Sequence, residues 1–164
     1  MRMAFVFKSA AILAAIASAL PAFPADIPKE GRYDYTSCFS GSNNIIEFSK
    51  THTATSSEFT GTNRSNPPGG LYDRTTFRCV AMSYSFEGKG AGTTVCEVVD
   101  KDGDKLLTRF VVEGSKLDRL VMAGTGKYEG IVSSGVAESL GPFPVVKPGT
   151  FQNCSRQTGT YKLK

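Results

Sequence analysis

Beyond residue 26 the chain shows no apolar repeat of three to four residues sustained over three turns. It alternates instead, in short runs of β-branched and aromatic residues closed by glycine or by Asp-Gly. That pattern predicts strands over 33–39, 45–53, 57–63, 75–86, 93–99, 105–112, 117–123, 127–138 and 150–163, the last in one or two pieces. Eight or nine short strands with brief links suit an all-β domain, either an up-and-down barrel or a sandwich. Within the fourth run Val80, Met82, Tyr84 and Phe86 share one face, with Cys79, Ala81, Ser83 and Ser85 on the other, and the larger set is the expected core. In the run 105–112, Leu106, Thr108, Phe110 and Val112 oppose Leu107, Arg109 and Val111. Both faces there are partly apolar, so alternation alone leaves the inward face open.

The punctuation between runs predicts hairpins. Lys101-Asp102-Gly103-Asp104 places Asp-Gly between two apolar runs, where glycine tolerates the positive φ of a tight turn. The glycines from Gly88 to Gly92 and the Glu113-Gly114-Ser115 step repeat the pattern on either side, giving a meander that loses its edges by closing on itself. Asn66-Pro67-Pro68-Gly69-Gly70 continues no strand and predicts a mobile flap at one end of the domain. Pro142, Pro144 and Pro148 mark a second irregular connection before the last strand.

The first 25 residues belong to a different pattern. Arg2 and Lys8 precede an apolar stretch from Ser9 to Leu20, which is short of the roughly 20 residues a spanning helix needs. Ala17-Ser18-Ala19 has the small residues a signal peptidase requires, with Ala22 and Ala25 as later cut points beside Pro21 and Pro24. The reading is a signal peptide over 1–25, cleaved after 19, 22 or 25, followed by one barrel domain over 26–164 in the periplasm or outside the cell. No later stretch is apolar for long enough to insert stably as a helix.

Removing that segment changes the charge. The whole chain carries 19 Lys and Arg against 15 Asp and Glu, a net +4, whereas without Arg2 and Lys8 the remainder is +2. The remaining charges are interspersed, with no basic run, which argues against a nucleic-acid partner.

Export also gives meaning to four cysteines, Cys38, Cys79, Cys96 and Cys154, since oxidation is the default there. Cys79 and Cys96 flank the glycine-rich turn near Gly88 almost symmetrically, so a hairpin sets them opposite each other. Cys38 is in the first strand and Cys154 in the last, and those strands become neighbours when a barrel closes. The expected bridges are Cys79–Cys96 and Cys38–Cys154. No Cys-x-x-Cys pair supports zinc.

Motifs for other chemistry fall short. Asp100, Asp102 and Asp104 begin like a calcium loop, but Lys105 replaces the glycine and Val111 the bidentate glutamate, so a solvated turn is expected and no metal. Gly124-Thr125-Gly126-Lys127-Tyr128-Glu129-Gly130 lacks both a dinucleotide fingerprint and the Gly-Lys-Ser/Thr ending of a phosphate loop, and no cofactor is expected. The sole histidine, His52, has no Gly-x-Ser-x-Gly elbow to serve and no second histidine for a metal. Asn63-Arg64-Ser65 and Asn153-Cys154-Ser155 match the glycosylation sequon.

The glycine segment, followed by Ile131-Val132-Ser133-Ser134-Gly135 and preceded by the Asp-x-Asp-Gly-Asp turn, resembles the corresponding strand of the allene oxide cyclase and dirigent-like barrels, including exported bacterial relatives of unassigned function. The resemblance spans 100–137 and implies a closed antiparallel eight-stranded barrel, lipocalin-like; no catalytic residue carries over. Tyr128, Glu129 and His52 are the candidate ligand-contacting side chains. Three functions are then expected, in this order: an exported barrel that binds a small apolar molecule or serves as a structural or interaction module; a barrel isomerase or cyclase acting on an apolar substrate; and a protein-binding or inhibitor domain using the 66–70 loop.

Overall fold

The computed structural model describes residues 27–114 and 116–164; the expected signal peptide lies outside the described residues. The strands are β1 (Glu30–Ser49), β2 (His52–Ser65), β3 (Thr75–Phe86), β4 (Lys89–Val99), β5 (Lys105–Glu113), β6 (Lys116–Gly124), β7 (Val132–Ser139) and β8 (Thr150–Lys162). A 3-10 turn, Gly126–Tyr128, precedes β7. All ladders are antiparallel, in the order β6-β5-β4-β3-β2-β1-β8-β7. First and last strands therefore lie side by side, and β6 and β7 are the two edges that meet without a ladder. The result is a nearly closed eight-stranded barrel.

Both expected disulfides are present. Cys38 faces Cys154 across the β1–β8 ladder and Cys79 faces Cys96 across β3–β4, each pair with Cα atoms 4.1 Å apart. The Asp-Gly hairpin also forms: Gly103 has φ +86°, and the Asp100 Oδ1 accepts the Asp102 and Asp104 backbone N–H groups at 2.8 and 3.0 Å.

Several expectations change in detail. The runs 33–39 and 45–53 are one strand up to Ser49, with Gly41 inside it. Gly41 is a packing requirement, because a Cβ there would collide with the Cβ and backbone of Phe59. The run 127–138 is a strand only from Val132; before it, Gly126 at φ +52° and Gly130 at φ +69° hold a short corner that turns Tyr128 inward. On β5 the inward face is settled as Leu106, Thr108, Phe110 and Val112, with Leu106 and Thr108 1% exposed.

The β3 face is the reverse of the expectation. Val80, Met82, Tyr84 and Phe86 point outward, and Cys79, Ala81 and Ser83 take the inner side. The inside of the tube is narrow and already holds Phe59 and Phe77 from this neighbourhood, so small residues fit there and large ones do not. Outside, the exposed rings of Tyr84, Phe86 and Phe48 make a row with the half-buried His52 near the β1–β2 turn.

The loop expected to be a flap is a plug. The Asp73 carboxylate accepts the Ser65 and Gly69 backbone N–H groups, both at 3.0 Å, and the Ser65 Oγ donates to Pro67 O and accepts from Gly70 N–H. Asn66 N–H is bonded to Asp34 O at 2.8 Å. So tethered, the loop drives Leu71 and Tyr72 into one end of the barrel, where they join Tyr33, Tyr35, Leu106, Tyr128, Ile131 and Tyr161 as the core. Gly135 and Gly159 leave room above their strands for the Tyr33 ring.

Candidate functional site

Away from the plug the inward side chains change from tyrosine to phenylalanine. Phe39 and Phe59 on β1 and β2, Phe77 on β3 and Phe110 on β5, with Val98, Val112 and Leu117, line a cavity of about 210 Å³ inside the barrel. Gly61 lets two of these rings lean together: a Cβ there would lie 2.7 Å from the Phe39 Cβ and collide with the Phe77 ring. Phe39 and Phe59 are 5.1 Å apart by centroid, and Phe39 and Phe77 6.3 Å. Val112 and Leu117, at the β5–β6 turn, are each 39% exposed and mark the mouth. A wider groove of about 680 Å³ runs along the outer surface beside Phe143, Val146 and the Cys38–Cys154 bridge, but it is open to solvent and has no charged lining residue.

The cavity floor is polar. Ser37 donates to the Asn63 Oδ1, the Asn63 Nδ2 donates to Thr75 Oγ1 at 2.8 Å, and Thr75 Oγ1 donates to Tyr72 O at 3.2 Å. That chain ties the floor to the plug, and it leaves Asn63, 4% exposed, closed to glycosylation. Tyr35 donates its hydroxyl to Gln157 Oε1 at 2.8 Å.

Arg119 of β6 is the charged side chain of the lining. Its guanidinium carbon stands 5.4 Å from the ring centroids of Tyr33 and Tyr72 and 5.7 Å from that of Phe110, within cation–π range of all three. Its Nη1 donates to the Tyr33 hydroxyl at 2.9 Å, and that hydroxyl donates to Ser134 O at 3.1 Å. The pair of bonds crosses the unladdered β6–β7 seam through β1. Among the described residues the Arg119 Nε is buried with no partner, as is Thr108 Oγ1, which lines the same cavity on the adjacent strand. Among the described residues no carboxylate lies within 4.0 Å of Arg119.

The surrounding phenols do not supply that missing charge. Burial pushes the Tyr35 and Tyr72 hydroxyls well up from the ordinary tyrosine range, with Arg119 opposing, so both are neutral at physiological pH. Burial works against the Arg119 charge, but the ordinary pKa of a guanidinium lies so far above neutrality that it stays protonated.

None of the three residues singled out in the sequence lines this cavity. Tyr128 is in the plug, its ring stacked on Tyr72 at 6.2 Å, its hydroxyl held well above the usual range by burial and then by Asp100. Glu129 is exposed at the same end, 3.9 Å from the Lys164 Nζ. His52 is at the opposite end among exposed rings, its Nδ1 3.1 Å from Ser49 Oγ and from Thr51 Oγ1. The aspartates of the β4–β5 turn are taken by Lys127, whose Nζ is 2.6 Å from Asp100 Oδ2 and 2.8 Å from Asp102 Oδ2, while Asp104 accepts its backbone N–H at 3.1 Å. Arg119 escaped sequence reasoning, yet a signal was there: it shares a strand face with Leu117 and Val121, a lone cation among apolar neighbours two residues either side.

Comparison with protein-family models, with curated proteins and with solved structures finds no match to the chain.

Proposed function

We propose that this protein is an exported barrel that binds one small, mainly apolar molecule. The observation that carries the reading is the interior cavity of about 210 Å³, walled by four phenylalanines, open at the β5–β6 end and stopped by the tyrosine plug at the other. Its volume is about that of seven water molecules, which suits a single ring with a short substituent. A signal-peptide pattern over 1–25 and a pair of disulfides support an oxidising destination. The resemblance to the allene oxide cyclase and dirigent-like barrels supports an interior ligand as well.

Toluene titration tests the reading, followed by NMR of the aromatic and methyl groups. Saturable shifts are expected at Phe59, Phe77, Phe110 and Val98, and they should be lost in Thr94→Leu, which fills the cavity from its wall. A wild-type protein whose resonances do not respond to toluene would exclude an interior binding site of this kind.

A further inference from the structure

Resting on the interior-ligand reading, we propose that Arg119 and Thr108 anchor the carboxylate of a small aromatic acid at the cavity floor. A guanidinium has two kinds of surface. The rings of Tyr33, Tyr72 and Phe110 lie within cation–π range of it, but its in-plane N–H groups need oxygen acceptors, and the bond that Nη1 makes is to the Tyr33 hydroxyl. Among the described residues Nε has none, and Thr108 Oγ1 has none.

These two orphaned donors are on adjacent strands. Arg119 is opposite Phe110 in the β5–β6 ladder, and Thr108 is the next inward residue of β5. Both atoms are buried in the wall of the cavity, and a small rotation of either side chain toward the space brings it to an acceptor carried in on an apolar body. A carboxylate has two acceptor oxygens and the negative charge that Arg119 lacks, and its planar geometry matches the guanidinium fork. Neutral phenols at Tyr35 and Tyr72 leave that charge uncontested.

The walls specify the body that carries the carboxylate. Phe39, Phe59, Phe77 and Phe110 offer ring faces and edges around a space too small for a long acyl chain. A benzoate- or cinnamate-sized acid, head down on Arg119 and ring among the phenylalanines, fills it.

Three probes and two variants decide the matter, with the full mature protein and calorimetry or NMR at neutral pH. Wild type should bind benzoate at least tenfold more tightly than benzyl alcohol, the neutral near-isostere, and more tightly than decanoate. Arg119→Met should lose at least tenfold in benzoate affinity and keep its affinity for benzyl alcohol within about threefold. Thr108→Val should weaken benzoate severalfold and benzyl alcohol by a smaller factor, and it keeps the test open if Arg119→Met does not fold. Equal binding of benzoate and benzyl alcohol overturns the anionic anchor while the apolar-ligand reading stands. Preference for decanoate overturns the aromatic body. Failure of all three, with toluene also silent, overturns the interior-ligand reading itself.

Discussion

Thr108 is 1% exposed and its hydroxyl has no partner among the described residues, a cost that replacement by an isosteric methyl removes. Thr108→Val is therefore expected to raise stability by about 1 kcal/mol, seen as a Tm higher by a few degrees in the absence of ligand. A hydroxyl needed for folding would give a loss instead. The same residue is expected to weaken an aromatic acid when one is bound, so stability and affinity move in opposite directions at one position, as at sites where strain is kept for function. Arg119 is subtler, because its bond to Tyr33 also helps span the β6–β7 seam. Its inward position was legible from the apolar residues two places either side. Its lack of a counter-charge was not, since no pattern along the chain says which carboxylates come near.

At the scale of elements, alternation identifies the strands because half-buried β-structure has a period of two, and Asp-Gly identifies the β4–β5 turn because few residues accept its φ. The plug was not legible. Leu71 and Tyr72 stand alone after a Pro-Pro-Gly-Gly run with no periodicity, and what sends them inward is the tether at Asp73. Asp73→Ala removes both backbone bonds, and it should cost about 1.5–3 kcal/mol in denaturant melts and increase amide exchange in 66–74. The corner at Gly126 to Tyr128 is held by a second acid cluster. Bonds from Lys101 and then Lys127 hold the Asp102 carboxyl down to about 2, and Asp100 is also lowered, its burial outweighed by Lys127 and two backbone N–H groups. Both are depressed carboxyls, so their contribution is complete above the ordinary value of 3.8 and lost as pH falls toward about 2. Lys127→Met should lower Tm at neutral pH and flatten the acid limb of the stability profile between about pH 4 and 2. A limb as steep as wild type would assign acid sensitivity to other carboxylates.

For the whole molecule, closure is the property that joins sequence to structure. Cys38 and Cys154 are 116 residues apart, and they can meet only because β1 and β8 pair, leaving the gap at β6–β7. Cys79 and Cys96, 17 apart, restrain one hairpin. In the chain-entropy account the longer loop contributes about 4.7 kcal/mol and the shorter about 3, a difference that native-state strain often narrows. Position separates the two bridges more sharply than loop length. Cys38 is on the outer surface, whereas Cys79 and Cys96 are buried and line the cavity wall. Replacing Cys38 and Cys154 together by serine should lower denaturant stability by roughly 2–5 kcal/mol and leave the toluene affinity of the folded fraction unchanged. Replacing Cys79 and Cys96 puts two hydroxyls into an apolar wall, so toluene affinity should fall along with stability. Urea melts paired with toluene titrations distinguish these outcomes. Equal effects of the two replacements on toluene binding would mean that the cavity depends on closure of the whole barrel and not on the chemistry of its wall.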